Sequence, residues 1–408
     1  MILEVKPMPK CIFCENELTE DTKREHILLN AFGGRKTTRR ADCSECNANF
    51  GNTIDDEAAQ QVKVLRNMLH LESGTGQPPP ILKNVQSGQD TINLTHDGRP
   101  ELVAKPFTVE KRDDDRFDVR ITATSIEEMA RFIPHIAAQI GRPEEDVIQM
   151  LESATASFTE RRPDTVHHRL SFGGPLALRS IAKSCLALWA TRVGNEEVRS
   201  AAYDDARRFV VDGDEVFNRS RVHLDSRYLP QVDELKRRFG KLFNLIYVKS
   251  NEIGRVVAHF TLYNIISWRI VLAEAGGTPN IRIGLVSNPF DRKWSDAIAD
   301  DIDIDFGWLD SPDYSDEFVR ARARINDVVR HYYDSETPRE LHRIADEVFK
   351  KYGIATDDEP ISDPELLKRI VWEISPRFAF HALNLPYVEN LTGAEIADQL
   401  KKLRGKVA

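Results

Sequence analysis

The sequence predicts an α+β protein: a small N-terminal module stapled by metal, then a large mixed region that ends in helices. Three observations carry this. Two Cys-x-x-Cys steps, Cys11–Cys14 and Cys43–Cys46, place four of the chain's five cysteines within its first 46 residues. Stretches such as Thr91–Thr95, Arg116–Thr122, Leu242–Val248 and Val256–Leu262 alternate or run apolar over short lengths, as strands do. From about Asp316 to Arg404 the chain is charged and helix-favouring, and its charges read as a solvated face.

The elements follow in order. Residues 1–72 form the cysteine module, with a knuckle at Cys11–Cys14, a segment around Glu25 to Phe32, a basic loop at Arg35 to Arg40 and the second knuckle. One helix is expected from about Asn47 to Leu71, because Ile54, Ala58, Val62, Leu65 and Leu69 recur at three or four residues. Gly74 to Pro80 is too rich in Gly and Pro for a helix and reads as a linker or rigid crossover. A second domain, 81–160, holds strands and then a helix from about Ser125 to Gln139, with Ser125 as its N-cap and Glu127 and Glu128 in its first turn. The third, 161–408, opens with a helix over Pro175–Val193 whose buried stripe is Leu176, Leu178, Ile181, Cys185, Leu188 and Trp189. Two paired strands follow, then a third near Ile265 to Leu272 and the helical end. Two or three domains suit 408 residues.

Composition excludes some classes. A net charge of −9 is wrong for a non-specific DNA coat, so any nucleic-acid contact must use a local patch. No apolar run reaches bilayer length, and the opening residues carry no secretory core, so the expectation is a cytoplasmic protein with no membrane partner. In that reducing setting paired Cys-x-x-Cys steps favour metal over disulfides. Four thiolates hold Zn2+ in a closed, structural site. A module of about 70 residues has a marginal core without such a staple.

The 28 residues between Cys14 and Cys43 exceed those of a minimal zinc ribbon. They contain Glu25-His26, and Asn47 follows Cys46 directly. This stretch resembles the HNH, or ββα-metal, endonuclease family, in the branch with a four-cysteine knuckle and a closing Cys-x-x-Cys-Asn. The matching residues are Cys11-Ile-Phe-Cys14, Glu25-His26-Ile27, Gly33-Gly34, Cys43-Ser-Glu-Cys46-Asn47, Gly51 and Ile54-Asp55, over about 60 of the 408 residues. The resemblance implies a ββα fold. It implies that Glu25 and Asn47 hold a catalytic divalent metal and that His26 is the general base; Asp55 matches the pattern as a supporting residue, but acids that open this helix suit its dipole and read first as structural. Glu25 stands where Asp is commoner, and Asn47 where many members carry His.

The residue chemistry agrees with that implication. Phosphodiester hydrolysis needs a nucleophile and a charge clamp, and a hard cation on oxygen ligands supplies the clamp. Carboxylate and amide oxygens suit Mg2+ or Mn2+. A histidine near neutral pKa can take a proton from water. Arg35, Lys36, Arg39 and Arg40 put four positive charges in six residues, suited to backbone phosphates. The expected function is a metal-dependent endonuclease acting on DNA, with RNA open as substrate, by family analogy in host defence or restriction. Two cuts on opposite strands would call for a homodimer. The alternative is a zinc-knuckle module that binds nucleic acid, or assembles proteins, without catalysis. Elsewhere, His167-His168 reads as no metal site, Cys185 as core and His259 as a packed strand residue.

Overall fold

The computed structural model describes residues 8–112, 116–160, 162–291, 296–354 and 360–405. Residues 1–7, read above for a secretory core, lie outside them. The chain forms two compact units: Met1–Leu82 with His96–Gly98 and His168–Tyr333, and Lys83–Thr95 with Arg99–His167 and Asp334–Ala408. This division in space runs differently from the division 1–72, 81–160 and 161–408 expected along the chain. Among the described residues no helix is long and apolar enough to cross a membrane.

In the first unit the N-terminal module has the ββα order. Strands β1 (Glu25–His26) and β2 (Thr37–Thr38) pair antiparallel, with Glu25 opposite Thr38 and His26 opposite Thr37. The turn between them is tight. Gly33 takes a φ of 90° after the short helical turn Asn30–Phe32, a conformation that favours glycine. A Cβ on Gly34 would lie 1.9 Å from the Leu28 carbonyl oxygen, so no side chain fits there.

The single helix expected over 47–71 is instead three: α1 (Ser44–Gly51), α2 (Ile54–Gln61) and α3 (Lys63–Met68). Cys43 caps α1, so the helix starts earlier than expected and Asn47 lies inside it. Thr53, at φ −128° and ψ −89°, breaks the backbone between α1 and α2. The apolar repeat was real, since Ile54, Ala58, Val62, Leu65 and Leu69 are all buried, but one buried face can be shared by several short helices. Residues 74–80 are no free linker. Asn67 and Arg66 donate to the Pro80 and Pro78 carbonyls at 2.8 and 3.5 Å, and Gly74 donates to the Asn30 carbonyl at 2.9 Å.

Helix α4 (Pro175–Val193) begins and ends where the sequence places it. Its expected single stripe is wrong in detail: Leu176 is exposed, whereas every residue from Ser180 to Ala190 is buried. A helix buried all round lies between two layers. Here the layers are the module's α2 and a six-stranded antiparallel sheet. The sheet contains β3 (Val222–Leu224), β4 (Asn244–Ser250), β5 (Val256–Leu262), β6 (Ile266–Ala273), β7 (Arg282–Ser287) and β8 (Ala297–Ile298), in the order β8-β7-β4-β5-β6-β3. Ile246 pairs with Phe260 and Tyr247 with His259, so alternate residues face opposite sides. Ile246, Val248, Phe260 and Leu262 join one core with Ile12, Ile27, Phe50 and Ile54 of the module and Ile181 and Leu186 of α4. Leu245, Tyr247 and Val257 pack a second core on the other face.

The second unit holds small antiparallel ladders and helices. Ser125 caps the helix Ile126–Ile140 by accepting the Glu128 amide, as expected. The charged C-terminal helices are not simply a solvated face. Arg377, 9% exposed, bonds Glu160 at 3.0 Å and Glu347 at 2.8 Å, and Arg343 joins Glu160 as well. These pairs tie Glu317–Lys351, Pro364–Ala382 and Thr155–Glu160 into a half-buried network.

Candidate active site

The four cysteines converge. Their sulfurs all lie within 4.8 Å of one another, and Cys14 and Cys43 are 3.6 Å apart. Tetrahedral zinc with bonds of about 2.3 Å sets its sulfurs about 3.8 Å apart, so the donor set fits. Backbone and amide N–H groups already point at the sulfurs: Phe13 at Cys11 (3.4 Å), Cys46 at Cys43 (3.5 Å) and the Asn16 side chain at Cys43 (3.5 Å). A hydrogen bond from Cys46 pulls the Cys11 thiol down to about 5, while burial pushes Cys14 up to about 11. Arg199 donates to the Cys11 carbonyl at 2.6 Å and Asn195 to the Lys10 carbonyl at 2.7 Å, so the knuckle is held from outside by residues far along the chain.

Glu25 and His26 lie side by side on β1, Glu25 buried and His26 half-buried. Burial lowers the His26 pKa; Asp296 opposes this and Lys183 adds to it, so the imidazole is neutral near pH 7. Asn47 lies in the first turns of α1, buried, with Nδ2 donating to the Arg24 carbonyl at 3.4 Å. That bond ties α1 to β1 and leaves Oδ1 as an acceptor.

The central feature is a buried ion cluster that the sequence did not disclose. Lys183, 2% exposed on α4, donates from Nζ to Glu25 Oε1 and to Asp55 Oδ2, both at 2.5 Å. Ser180, one turn earlier on the same helix, donates to Asp55 Oδ1 at 2.5 Å. Burial pulls the ammonium down, but Asp55, Glu25 and Asp42 together overcome it and hold Lys183 charged. Glu25 is pushed up by burial, partly offset by Lys183. Asp42, 1% exposed, is pushed by burial and by Glu25 up to about 7. Neither of its carboxylate oxygens has a hydrogen-bond partner among the described residues.

The basic loop is partly ordered into β2. Asp296 accepts the Arg35 and Lys36 backbone N–H groups at 2.6 and 2.7 Å, Arg35 reaches the Asn288 carbonyl at 3.3 Å, and Arg39 reaches the Thr22 carbonyl at 3.1 Å. Arg39 and Arg40 are exposed, Arg35 and Lys36 half-buried. Lys183 thus links Glu25 to Asp55, and Asn47 is bonded to the carbonyl of Arg24, the residue before Glu25 and His26. Among the described residues the four cysteines form the group of ligand atoms close enough for one metal; neither Glu25, His26 and Asp55 nor His167 and His168 form another. Cys185 and His259 are fully buried, His259 within 3.5 Å of Asp225.

Comparison with known proteins agrees with the ββα layout. Residues 11–63 match the family model described as HNH endonuclease. The module is of the HNH type. No curated protein and no solved structure matches the chain. The HNH module supports a nuclease or nucleic-acid-binding role, and its four cysteines are positioned to bind a metal.

Sequence reading missed Asp42, Ser180, Lys183 and Asp296. One signal was there. Ser180, Lys183 and Ser184 fall at helical spacing in a largely apolar stretch of the helix, which marks a face aimed at something polar. Asp42 and Asp296 carried no such pattern.

Proposed function

We propose that the protein is a metal-dependent endonuclease that hydrolyses phosphodiester bonds of DNA, with the HNH module as the cutter and a role in host defence or restriction. What supports this best is that Glu25 and His26 are adjacent on β1 while Asn47, on α1, is bonded to the carbonyl of Arg24 just before them. His26, neutral near pH 7, takes a proton from the attacking water on an imidazole nitrogen. Glu25 and Asn47 offer a carboxylate and an amide oxygen, the donor chemistry of Mg2+ or Mn2+. Such a cation, when bound, stabilises the charge developing on the phosphoryl group and leaving oxygen. Arg39 and Arg40, exposed beside the hairpin, neutralise backbone phosphates, with Arg35 and Lys36 behind them. Opposite-strand cuts would need two copies related by a two-fold axis.

One observation favours a second reading, a module that binds nucleic acid without cutting. Glu25 already has a cation, Lys183, at 2.5 Å. Plasmid cleavage by zinc-loaded protein with Mg2+, Mn2+ or EDTA, beside His26→Ala, separates the two. The nuclease reading expects divalent-dependent cleavage that falls at least a hundredfold in the variant while DNA affinity is kept. Zinc-replete protein that binds DNA and cuts neither DNA nor RNA with either metal leaves only the binding reading.

A further inference from the structure

Asp42 presents an unusual demand. Its carboxylate is 1% exposed, and both oxygens are buried with no hydrogen-bond partner among the described residues. A buried polar group without partners costs free energy, and an ionised one costs more. Its neighbours cannot meet the need. The nearby cation is Lys183, which is already committed to Glu25 Oε1 and Asp55 Oδ2. Asp55 is satisfied on both oxygens, by Lys183 and by Ser180. Glu25 gives Lys183 only Oε1, which leaves Oε2.

One ammonium serves this corner: Lys183 bonds Glu25 and Asp55, and both oxygens of Asp42 stay without a hydrogen-bond partner among the described residues. A divalent cation would give them one.

Resting on the reading that Glu25 holds a divalent cation, we infer that Asp42 is a second carboxylate ligand of that cation, with Lys183 as the fixed counter-ion of Glu25 and Asp55. The class of ion follows from the donors. Two carboxylates and the Asn47 amide oxygen are hard ligands, and the acids form no tight three-carboxylate cluster like that of the cysteines. Few carboxylates with room for waters is the pattern of Mg2+ and of Mn2+ in its place. Asp42 directly precedes the zinc ligand Cys43, so one short segment carries a ligand for each metal.

The test is Mn2+ titration of the zinc-loaded full chain, read by the electron paramagnetic resonance of free Mn2+, with melting temperature and zinc content measured in parallel. Wild type should bind one Mn2+ beyond its zinc. Asp42→Asn and Glu25→Gln should each weaken that binding at least tenfold, and Asp55→Asn less than threefold. Without Mn2+, Asp42→Asn should melt higher than wild type, because an unpartnered buried carboxyl group is gone, with zinc unchanged. Mn2+ should raise the melting temperature of wild type but not of Asp42→Asn. Asp42→Asn that binds Mn2+ like wild type while Glu25→Gln does not would remove Asp42 and leave the nuclease reading standing. Equal losses in Asp42→Asn and Asp55→Asn would mean a diffuse field and not a ligand, and would overturn the inference. So would Asp42→Asn that melts lower or fails to fold, since the carboxylate would then have another partner. No Mn2+ binding by wild type would overturn both inference and catalytic-metal reading.

Discussion

The cysteine knuckle and the carboxylate corner belong to one module but are assembled in opposite ways. The knuckle draws its four ligands from two Cys-x-x-Cys turns within the module, and its N–H···S bonds also come from the module itself. The corner joins Glu25 and Asp55 through a lysine 158 and 128 residues further on, carried by a helix that also backs the sheet. A small module can build a metal knuckle alone. It cannot neutralise several buried acids alone, and here the large region supplies the missing cation. The core and the charges of the module are thus completed by the chain that follows it.

The largest effect that would sharpen this contrast is loss of zinc. Structural zinc in small zinc-finger peptides is worth about 10–16 kcal/mol, comparable to the whole stability of a domain at about 5–15 kcal/mol. Cys46→Ser, or chelation, should cost residues 8–72 their hydrogen-exchange protection and loosen α4 behind them. The far face of the sheet, around Phe243 and Tyr247, should stay protected. If the module keeps full protection without zinc, the knuckle is not its staple, and the contrast with the corner disappears.

Next in size is Lys183→Met. Removing one partner of a buried ion pair typically costs about 3–5 kcal/mol, because the remaining charges are left without compensation. Urea unfolding of zinc-loaded protein should register that loss. Lys183→Met combined with Asp55→Asn should lose less than the sum of the two, as groups in one network do. A cost below about 1 kcal/mol would place the lysine among ordinary surface pairs and break the comparison.

The same contrast explains what the sequence could disclose. Local spacing predicted the knuckle, helix α4 and strands β4 to β6, because each rests on neighbours along the chain, while the ββα order came from the resemblance to the HNH family. The division of the expected helix into α1, α2 and α3 was not legible, since Ile54 through Leu69 bury one face whether carried by one helix or several. Lys183 was hidden for a different reason. A lysine in a helix is exposed by default, and only the opposing acids, brought in by folding, make burial tolerable. Asp42 was hidden because an unpartnered carboxylate is defined by what surrounds it, and nothing in the order of residues says so.

The smallest effect is the most discriminating. Arg199 holds the knuckle through the Cys11 carbonyl at 2.6 Å, while its contact to Glu15 is exposed and adds little. A hydrogen bond from a charged donor is worth about 1.5–3 kcal/mol, so Arg199→Ala should lower stability by about that amount or less. It should also release zinc to a chelator several-fold faster, because the Cys11 loop loses its outside brace. Mn2+ binding at the corner should not change, since no residue there touches Arg199. If Arg199→Ala alters Mn2+ affinity as much as zinc release, knuckle and corner respond as one body. The large region would then govern the whole module through its packing, and the separate charge role assigned to Lys183 would fall.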